Sequence, residues 1–177
     1  GPPPANDACT GAQNLGLLPV PAACPGGIGA LSVTNTTNLC ATAATPYSSL
    51  LGCQPGGNMA SPAADVWYRF SITGPSINIS ISGGINTPNV GLYEGASCAG
   101  LIPRGCAIGS NGSLNTTFGG LASGTYYLQV SGDNLADQCD FTLTLQNNYD
   151  CAGCVIQSTL VANPPPVNGS YPAGQSV

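Results

Sequence analysis

The sequence predicts an all-β protein, an antiparallel and jelly-roll-like β-sandwich of about eight strands. Two observations support this prediction. Short runs of alternating apolar and polar residues recur about every ten residues, with glycine, proline or asparagine between them. The 177 residues include 25 glycines and 16 prolines, which oppose helix formation, and no stretch has a helical spacing of apolar residues. A disulfide-stabilised N-terminal segment and an extended C-terminal tail complete the expected architecture.

The clearest predicted strand covers residues 65–72. Val66, Tyr68, Phe70 and Ile72 occupy every second position of this run. Side chains alternate between the two faces of a strand, so these four are expected to point into the core.

The other strands are predicted from the same alternation and from turn signals. In residues 76–82 three isoleucines share one face, and a Gly-Gly pair ends the run. Breaks of this kind between alternating runs are typical of a sandwich. Further strands are expected at residues 28–34, 90–93, 113–118, 125–131 and 139–146.

The chain divides into two predicted parts. Residues 1–146 are expected to form the sandwich domain, covered in part by its cysteine-rich opening. Residues 147–177 are expected to be a tail or linker strand that leads toward a next domain or a neighbouring subunit, because three consecutive prolines favour a stiff extended spacer. The apolar positions of this assembly tail are Val155, Ile156, Leu160 and Val161.

The charge composition excludes several functions. Seven acidic residues stand against two arginines, with no histidine and no lysine, for a net charge of −5. Nucleic acids and anionic membranes both require basic surfaces, and no apolar run approaches the ~20 residues that span a bilayer. Histidine is the usual general base and the acids are scattered along the chain, so we expect no enzyme and no catalytic residues.

Nine cysteines in a charge-poor chain predict disulfides, and therefore a secreted protein that is extracellular or on the cell surface. An odd number leaves one thiol free or paired outside the chain. The candidate disulfide cysteines are Cys9, Cys24, Cys40, Cys53, Cys98, Cys106, Cys139, Cys151 and Cys154.

Sequence order alone does not fix the pairing. Cys98–Cys106 is the first expected pair, because the two cysteines flank a short segment that is expected to turn from one strand to the next. Cys40–Cys53 is the second, because it would close a loop rich in proline and glycine.

Three further cysteine positions stay open to alternatives. Cys9 is expected to pair with Cys24 or with Cys139. Cys151 and Cys154 would form a tight local bridge. Zinc is disfavoured at this CxxC motif, because the chain has no second CxxC pair and no histidine.

One loop is a candidate calcium site, although a solvated turn is the favoured interpretation. Asp133, Asp137 and Asp140 place three carboxylates within eight residues, and hard oxygen ligands suit calcium. The alternative is a solvated turn, because Asp and Asn also favour turns. No other cofactor is expected. Asp7 is expected instead to hydrogen-bond backbone amides at the entry to the fold.

Trp67, Arg69 and Tyr127 suggest a glycan-binding surface. Trp67 and Arg69 share the polar face of the 65–72 strand, and Tyr127 is placed similarly on its own strand. Aromatic rings on an open face would stack on sugars, with the arginine beside them. The favoured alternative is that the cysteine-rich opening segment covers Trp67.

Asn-x-Ser/Thr sequons mark candidate glycosylation sites and agree with a surface glycoprotein. Some sequons arise by chance in a chain so rich in Asn, Ser and Thr. The candidates are Asn35, Asn78, Asn111, Asn115 and Asn168.

Several short motifs resemble one family. Residues 3–9 (PPANDAC), 64–70 (ADVWYRF), 90–93 (VGLY) with the later Cys98, and 120–130 (GLASGTYYLQV) are similar to the PPANDxC β-sandwich repeats of large secreted surface proteins of Bacteroidetes-type bacteria. Those repeats are related to pre-peptidase C-terminal domains. The resemblance implies a secreted multidomain protein without an active site.

The expected function is therefore structural. The chain is predicted to be a subunit or repeat of an extracellular surface fibre or adhesin, assembling head to tail by addition of its C-terminal strand to a neighbour. Its partners would be neighbouring copies or adjacent domains of the same protein. The alternative function is that of a carbohydrate-binding accessory module of a secreted multidomain protein.

Overall fold

Two β-sheets face one another in the structure, a computed structural model that describes residues 1–20, 29–43 and 64–148. The nine described strands are β1 (Gln13–Leu17), β2 (Gly29–Thr37), β3 (Asp65–Ile72), β4 (Ser76–Gly83), β5 (Asn89–Glu94), β6 (Ile102–Ile108), β7 (Ser113–Gly119), β8 (Gly124–Ser131) and β9 (Asp140–Asn148). The helical content of these ranges is one 3₁₀ turn, Cys9–Gly11, so they contain no helix long enough to cross a membrane.

The sheets have five and four strands. Their spatial orders are β1-β3-β8-β5-β6 and β2-β9-β4-β7. Neighbouring strands pair antiparallel throughout, except for β1 and β3, which pair parallel. The all-β sandwich prediction is confirmed, and the parallel edge pair is a departure from it.

The core lies between the sheets and follows the predicted alternation. The inward residues of β3 and the three isoleucines of β4 (Ile77, Ile79 and Ile81) belong to one buried cluster. The inward residues of β8 and β9 also belong to it: Tyr126, Leu128, Val130, Phe141, Leu143 and Leu145. Burying this apolar surface is the main favourable contribution to folding.

Two strands were not predicted. In β1, Leu15 is the single apolar residue between Gln13 and Gly16, too short a run to show alternation. β6 contains Pro103 and Gly105, which weaken a strand signal. Both are edge strands, where such residues are tolerated.

The predicted domain boundary at residue 146 stays a prediction. β9 continues to Asn148, where the described part of the chain stops. The tail positions Val155, Ile156, Leu160 and Val161 lie outside the described residues.

Candidate functional site: the buried tryptophan and its cover

Trp67 lies on the face of β3 that points away from the main core. It is 0% exposed and belongs to a second buried cluster with Cys9, Tyr93, Leu101 and Tyr127. The rings of Trp67 and Tyr93 are 5.7 Å apart, within the range of favourable aromatic pairs. The five-stranded sheet therefore has apolar packing on both faces.

A buried polar network holds this cluster in place. The indole Nε1 of Trp67 and the amide Nε2 of Gln129 both donate to Oδ2 of Asp65, at 2.8 and 2.7 Å. The hydroxyl of Tyr93 donates to Oε1 of Gln129 at 3.1 Å. Asp65 and Gln129 are themselves buried. Sequence reasoning missed both, although the spacing of Asp65 and Trp67, two residues apart on one strand face, was a usable signal.

The start of the chain covers Trp67. We call residues 4–18 the N-terminal clip. Asn6 in this clip makes two hydrogen bonds to the backbone of Trp67: its carbonyl accepts from the Trp67 N–H at 2.8 Å, and its Nδ2 donates to the Trp67 carbonyl at 3.1 Å. Cys9 and Ala12 pack on the second cluster. The predicted cover over Trp67 is confirmed.

The N-terminal clip continues along the edge of β3 as strand β1. Gln13 pairs with Tyr68, and Leu17 pairs with Ser71. Next, the N–H of Leu18 donates to the carbonyl of Ser71 at 2.9 Å. Leu15 and the fully buried Leu18 pack against the main core. One segment therefore contributes side chains to both apolar clusters.

Asp7 anchors the clip from its other side. Its carboxylate accepts hydrogen bonds from the backbone N–H and the hydroxyl of Thr42. The carbonyl of Thr42 in turn accepts a hydrogen bond from the backbone N–H of Asp65, at 3.3 Å. The prediction that Asp7 binds backbone at the entry to the fold is confirmed.

A disulfide joins Cys9 in the clip to Cys98 in the loop after β5. The expected pairs Cys98–Cys106 and Cys9 with Cys24 or Cys139 are therefore wrong, because the clip crosses the sheet and brings Cys9 beside Cys98. Cys106 is also disulfide-bonded.

Two described cysteines are free thiols. Cys40 is exposed, in a turn where its φ is 62°, and Cys139 is half-buried. The expected Cys40–Cys53 pair is therefore absent. Cys24, Cys53, Cys151 and Cys154 lie outside the described residues.

The proposed sugar-stacking platform is wrong. Trp67 is fully buried and Tyr127 is 4% exposed, so neither ring face is open to a ligand. Arg69 is exposed on its strand. The aromatic residues are used in packing under the clip.

The structure does not bring the three loop carboxylates together as a calcium site. The carboxylate of Asp137 accepts backbone N–H groups from Asn86, Thr87 and Asp133, at 2.8, 3.0 and 3.3 Å. Asp140 is exposed at the start of β9. Within the described ranges, no three His, Cys, Asp or Glu residues are grouped to hold a metal. Asp137 is a loop anchor, because its oxygens satisfy backbone donors.

Two of the sequons meet on the outer face of the four-stranded sheet. Nδ2 of Asn78 donates to Oδ1 of Asn115 at 2.8 Å and to Oγ1 of Thr117 at 3.0 Å. Asn111 is exposed at a turn, with φ of 52°. The side chain of Asn35 and all of Asn168 lie outside the described residues. Glycosylation stays a prediction at all five positions.

Tyr68 is a buried titratable group with a raised pKa. Burial raises the pKa of Tyr68 to about 12, and this effect outweighs hydrogen bonds from the side chains of Asn6 and Thr36 that favour ionisation. Burial also raises the pKa of Tyr126, whose hydroxyl donates to the carbonyl of Ala122 at 2.8 Å. Both phenols contribute to the core as neutral groups.

Comparison with solved structures gives two distant likenesses. The pre-peptidase C-terminal domain of a collagenase from Bacillus anthracis is 16% identical with a TM-score of 0.37, over 76% of this chain and 91% of that one. A periplasmic inhibitor of g-type lysozyme from Aeromonas hydrophila has the same identity, TM-score and coverage of this chain, over 96% of its own length. No family model and no curated protein matches the sequence.

The collagenase domain is of the class to which the sequence resemblance pointed. At this identity and TM-score, neither likeness identifies a family or a function. The narrower resemblance to PPANDxC repeats stays a prediction.

Proposed function

We propose that the chain is a structural subunit or repeat of an extracellular surface fibre or adhesin. The observation that carries this proposal is the Cys9–Cys98 disulfide, which fixes the N-terminal clip over the buried Trp67. Such a bond supports a location outside a reducing cytosol. The aromatic side chains that a ligand would need pack inside the protein instead.

The acidic residues also support a structural role. Asp7, Asp65 and Asp137 each accept hydrogen bonds that fix a segment or strand of this chain. Glu94 forms an ion pair with Arg104 across β5 and β6. Catalysis requires acids that converge on a substrate position, whereas these four groups bind their own chain.

For assembly, we propose that the C-terminal tail adds as a strand to a sheet edge of a neighbouring copy. β2 is the described edge best suited to accept it. It is nine residues long, with neither proline nor charge, and its inward Leu31 and Val33 are only partly buried. β6 is protected by Pro103 and Arg104, which oppose pairing at an edge.

Electron microscopy and sedimentation velocity of the full chain under oxidising conditions test this function. We expect linear assemblies that grow with protein concentration. A variant with Val155→Ser, Ile156→Ser, Leu160→Ser and Val161→Ser should lose this growth with concentration, because it removes the apolar side chains that the edge would bury.

A matched control changes Ser158→Ala and Thr159→Ser in the same tail and should assemble like the unmodified chain. The proposal fails if the unmodified chain stays monomeric at every concentration. It also fails if the four-serine variant assembles as the control does.

A further inference from the structure

The N-terminal clip occupies a groove built by the rest of its own chain. We propose that this clip is exchanged between copies, so that residues 4–18 of one copy insert into the groove of the next and Cys9 forms its disulfide with Cys98 of that next copy. The inference rests on the proposed function and gives it a covalent link between subunits.

The groove has three kinds of contact for an inserted clip. The edge of β3 offers backbone pairing from Trp67 to Ser71. The main core accepts Leu15 and Leu18, and the second cluster accepts Cys9 and Ala12. An identical clip from another copy fits by construction, because every contact that the clip makes is available in every copy.

Two features of the clip favour its exchange, the chain that follows it and its strand pairing. The clip leaves the sheet at Pro19 and Val20, which are exposed, and the sequence has a second proline at position 21. Proline restricts the chain to extended conformations and disfavours a tight reversal. Among the described strands, β1 makes the one parallel pairing, which is slightly weaker per residue than antiparallel pairing.

Formation of the disulfide between two copies needs an oxidant that accepts two electrons. The thiols of Cys9 and Cys98 lose two protons and two electrons as their S–S bond forms. A small-molecule disulfide, such as oxidised glutathione, takes up both and leaves as two thiols. The same chemistry closes the bond within one chain, so exchange is decided by which copy's clip occupies the groove when oxidation occurs.

Two assemblies follow from exchange. Reciprocal insertion between two copies closes a dimer, whereas insertion of each clip into the next copy leaves both ends open and builds a chain. In the second case each subunit is joined to its neighbour by a covalent bond, and reduction would be needed to separate them.

A mixed-isotope experiment on the unmodified protein tests the exchange. Equal amounts of ¹⁴N and ¹⁵N full chain are denatured and reduced together, then refolded with oxidised and reduced glutathione. Oligomer and monomer fractions are separated and digested with pepsin, since a chain with two arginines and no lysine gives few tryptic peptides. Mass spectrometry then reads the peptide pair linked through Cys9 and Cys98.

We expect about half of the Cys9–Cys98 peptide pairs in the oligomer fraction to carry one light and one heavy partner, as random exchange requires. Uniformly light or heavy pairs in every fraction would overturn the proposal. A Cys40→Ser and Cys139→Ser background removes the described free thiols and should give the same result, which shows that these two thiols are not the source of mixed pairs.

Complementation of two variants gives a second test. Neither Cys9→Ser nor Cys98→Ser can form this bridge alone, but a mixture can form it between chains. We expect a covalent heterodimer on a non-reducing gel from the mixture, with the Cys9–Cys98 peptide in its digest, and no such peptide from either variant alone. Absence of this peptide from the mixture would contradict exchange.

The tail variant separates this inference from the proposed function. If the four-serine tail variant assembles as its control does while mixed-isotope pairs form, clip exchange holds and tail-driven assembly fails. If filaments form with uniform pairs throughout, the proposed function holds and the clip stays within its own chain.

Discussion

The indole Nε1 of Trp67 donates a 2.8 Å hydrogen bond to Oδ2 of Asp65, two residues earlier on the same face of β3. Gln129 of β8 donates to the same oxygen. A buried carboxyl group is costly unless it is hydrogen-bonded, and these donors supply that compensation. The bonds also fix the orientation of the indole under the clip.

Asp65→Asn should lower the free energy of unfolding by about 2 kcal/mol, because the side-chain amide has one acceptor oxygen where the carboxyl group has two, and it adds an NH2 group near two donors. Guanidinium denaturation followed by fluorescence measures the change, and Trp67 is the single tryptophan of the chain. Asp140→Asn is the matched control at an exposed position and should stay within about 0.5 kcal/mol. Equal effects of the two changes would contradict the structural role of Asp65.

Stability should fall at high pH because of Tyr68. Its pKa is raised to about 12 in the folded protein, against 10.0 for a tyrosine that is free in solution. The unfolded chain therefore ionises first as pH rises, so the contribution of Tyr68 is complete below pH 10 and is lost between pH 10 and 12. Two pKa units correspond to about 2.7 kcal/mol. Urea denaturation from about pH 9 to pH 12 measures the loss.

Tyr68→Phe should flatten this pH dependence while lowering stability at neutral pH. Some slope should remain, because the raised pKa of Tyr126 acts in the same direction. A Cys40→Ser and Cys139→Ser background limits thiol exchange in alkali. An unchanged slope in the phenylalanine variant would show that Tyr68 is not its source.

Removing the described disulfide should cost about 4 kcal/mol. Cys9 and Cys98 are 89 residues apart in sequence, and cross-linking so long a loop restricts the unfolded chain strongly. Cys9→Ser with Cys98→Ser is compared with Cys40→Ser, which changes an exposed free thiol. A loss below about 1 kcal/mol in the double variant, measured by guanidinium denaturation, would contradict this account.

Gly105→Ala should destabilise the fold by about 1–2 kcal/mol, because an added Cβ would lie 2.6 Å from the ring of Phe118. Gly119→Ala, on the strand that carries Phe118, is the control. A Cβ there meets nothing within 4 Å, so the change should be neutral or slightly stabilising. Thermal unfolding of both variants measures the difference, and equal melting temperatures would show that Phe118 moves aside without cost.

The strands that sequence predicts best are those whose core-facing residues alternate without interruption. In β3 and β4, every inward residue follows period two, because each strand has one face on the main core. β1 and β6 escaped prediction because an edge strand needs fewer apolar residues, so Gly16 and Pro103 are tolerated there.

The candidate site was less predictable than the fold. The cover over Trp67 was one of two alternatives, because the polar face of a strand reads the same whether it meets solvent or another segment. Pairing of Cys9 with Cys98 could not be read from spacing, because it depends on the clip crossing the five-stranded sheet. Short separations such as that of Cys98 and Cys106 are favoured by chain entropy alone, and tertiary structure overrode that preference.

The disulfide between Cys9 and Cys98 also limits how far one subunit can stretch. When a chain is pulled from its two ends, covalently looped residues bear no load, and 89 residues correspond to roughly 300 Å of extended backbone. A subunit closed by its own bridge would therefore lengthen under tension far less than its sequence allows. In a surface fibre built from such subunits, the maximum length of each subunit would be shorter by the length of backbone that its disulfide holds in the closed loop.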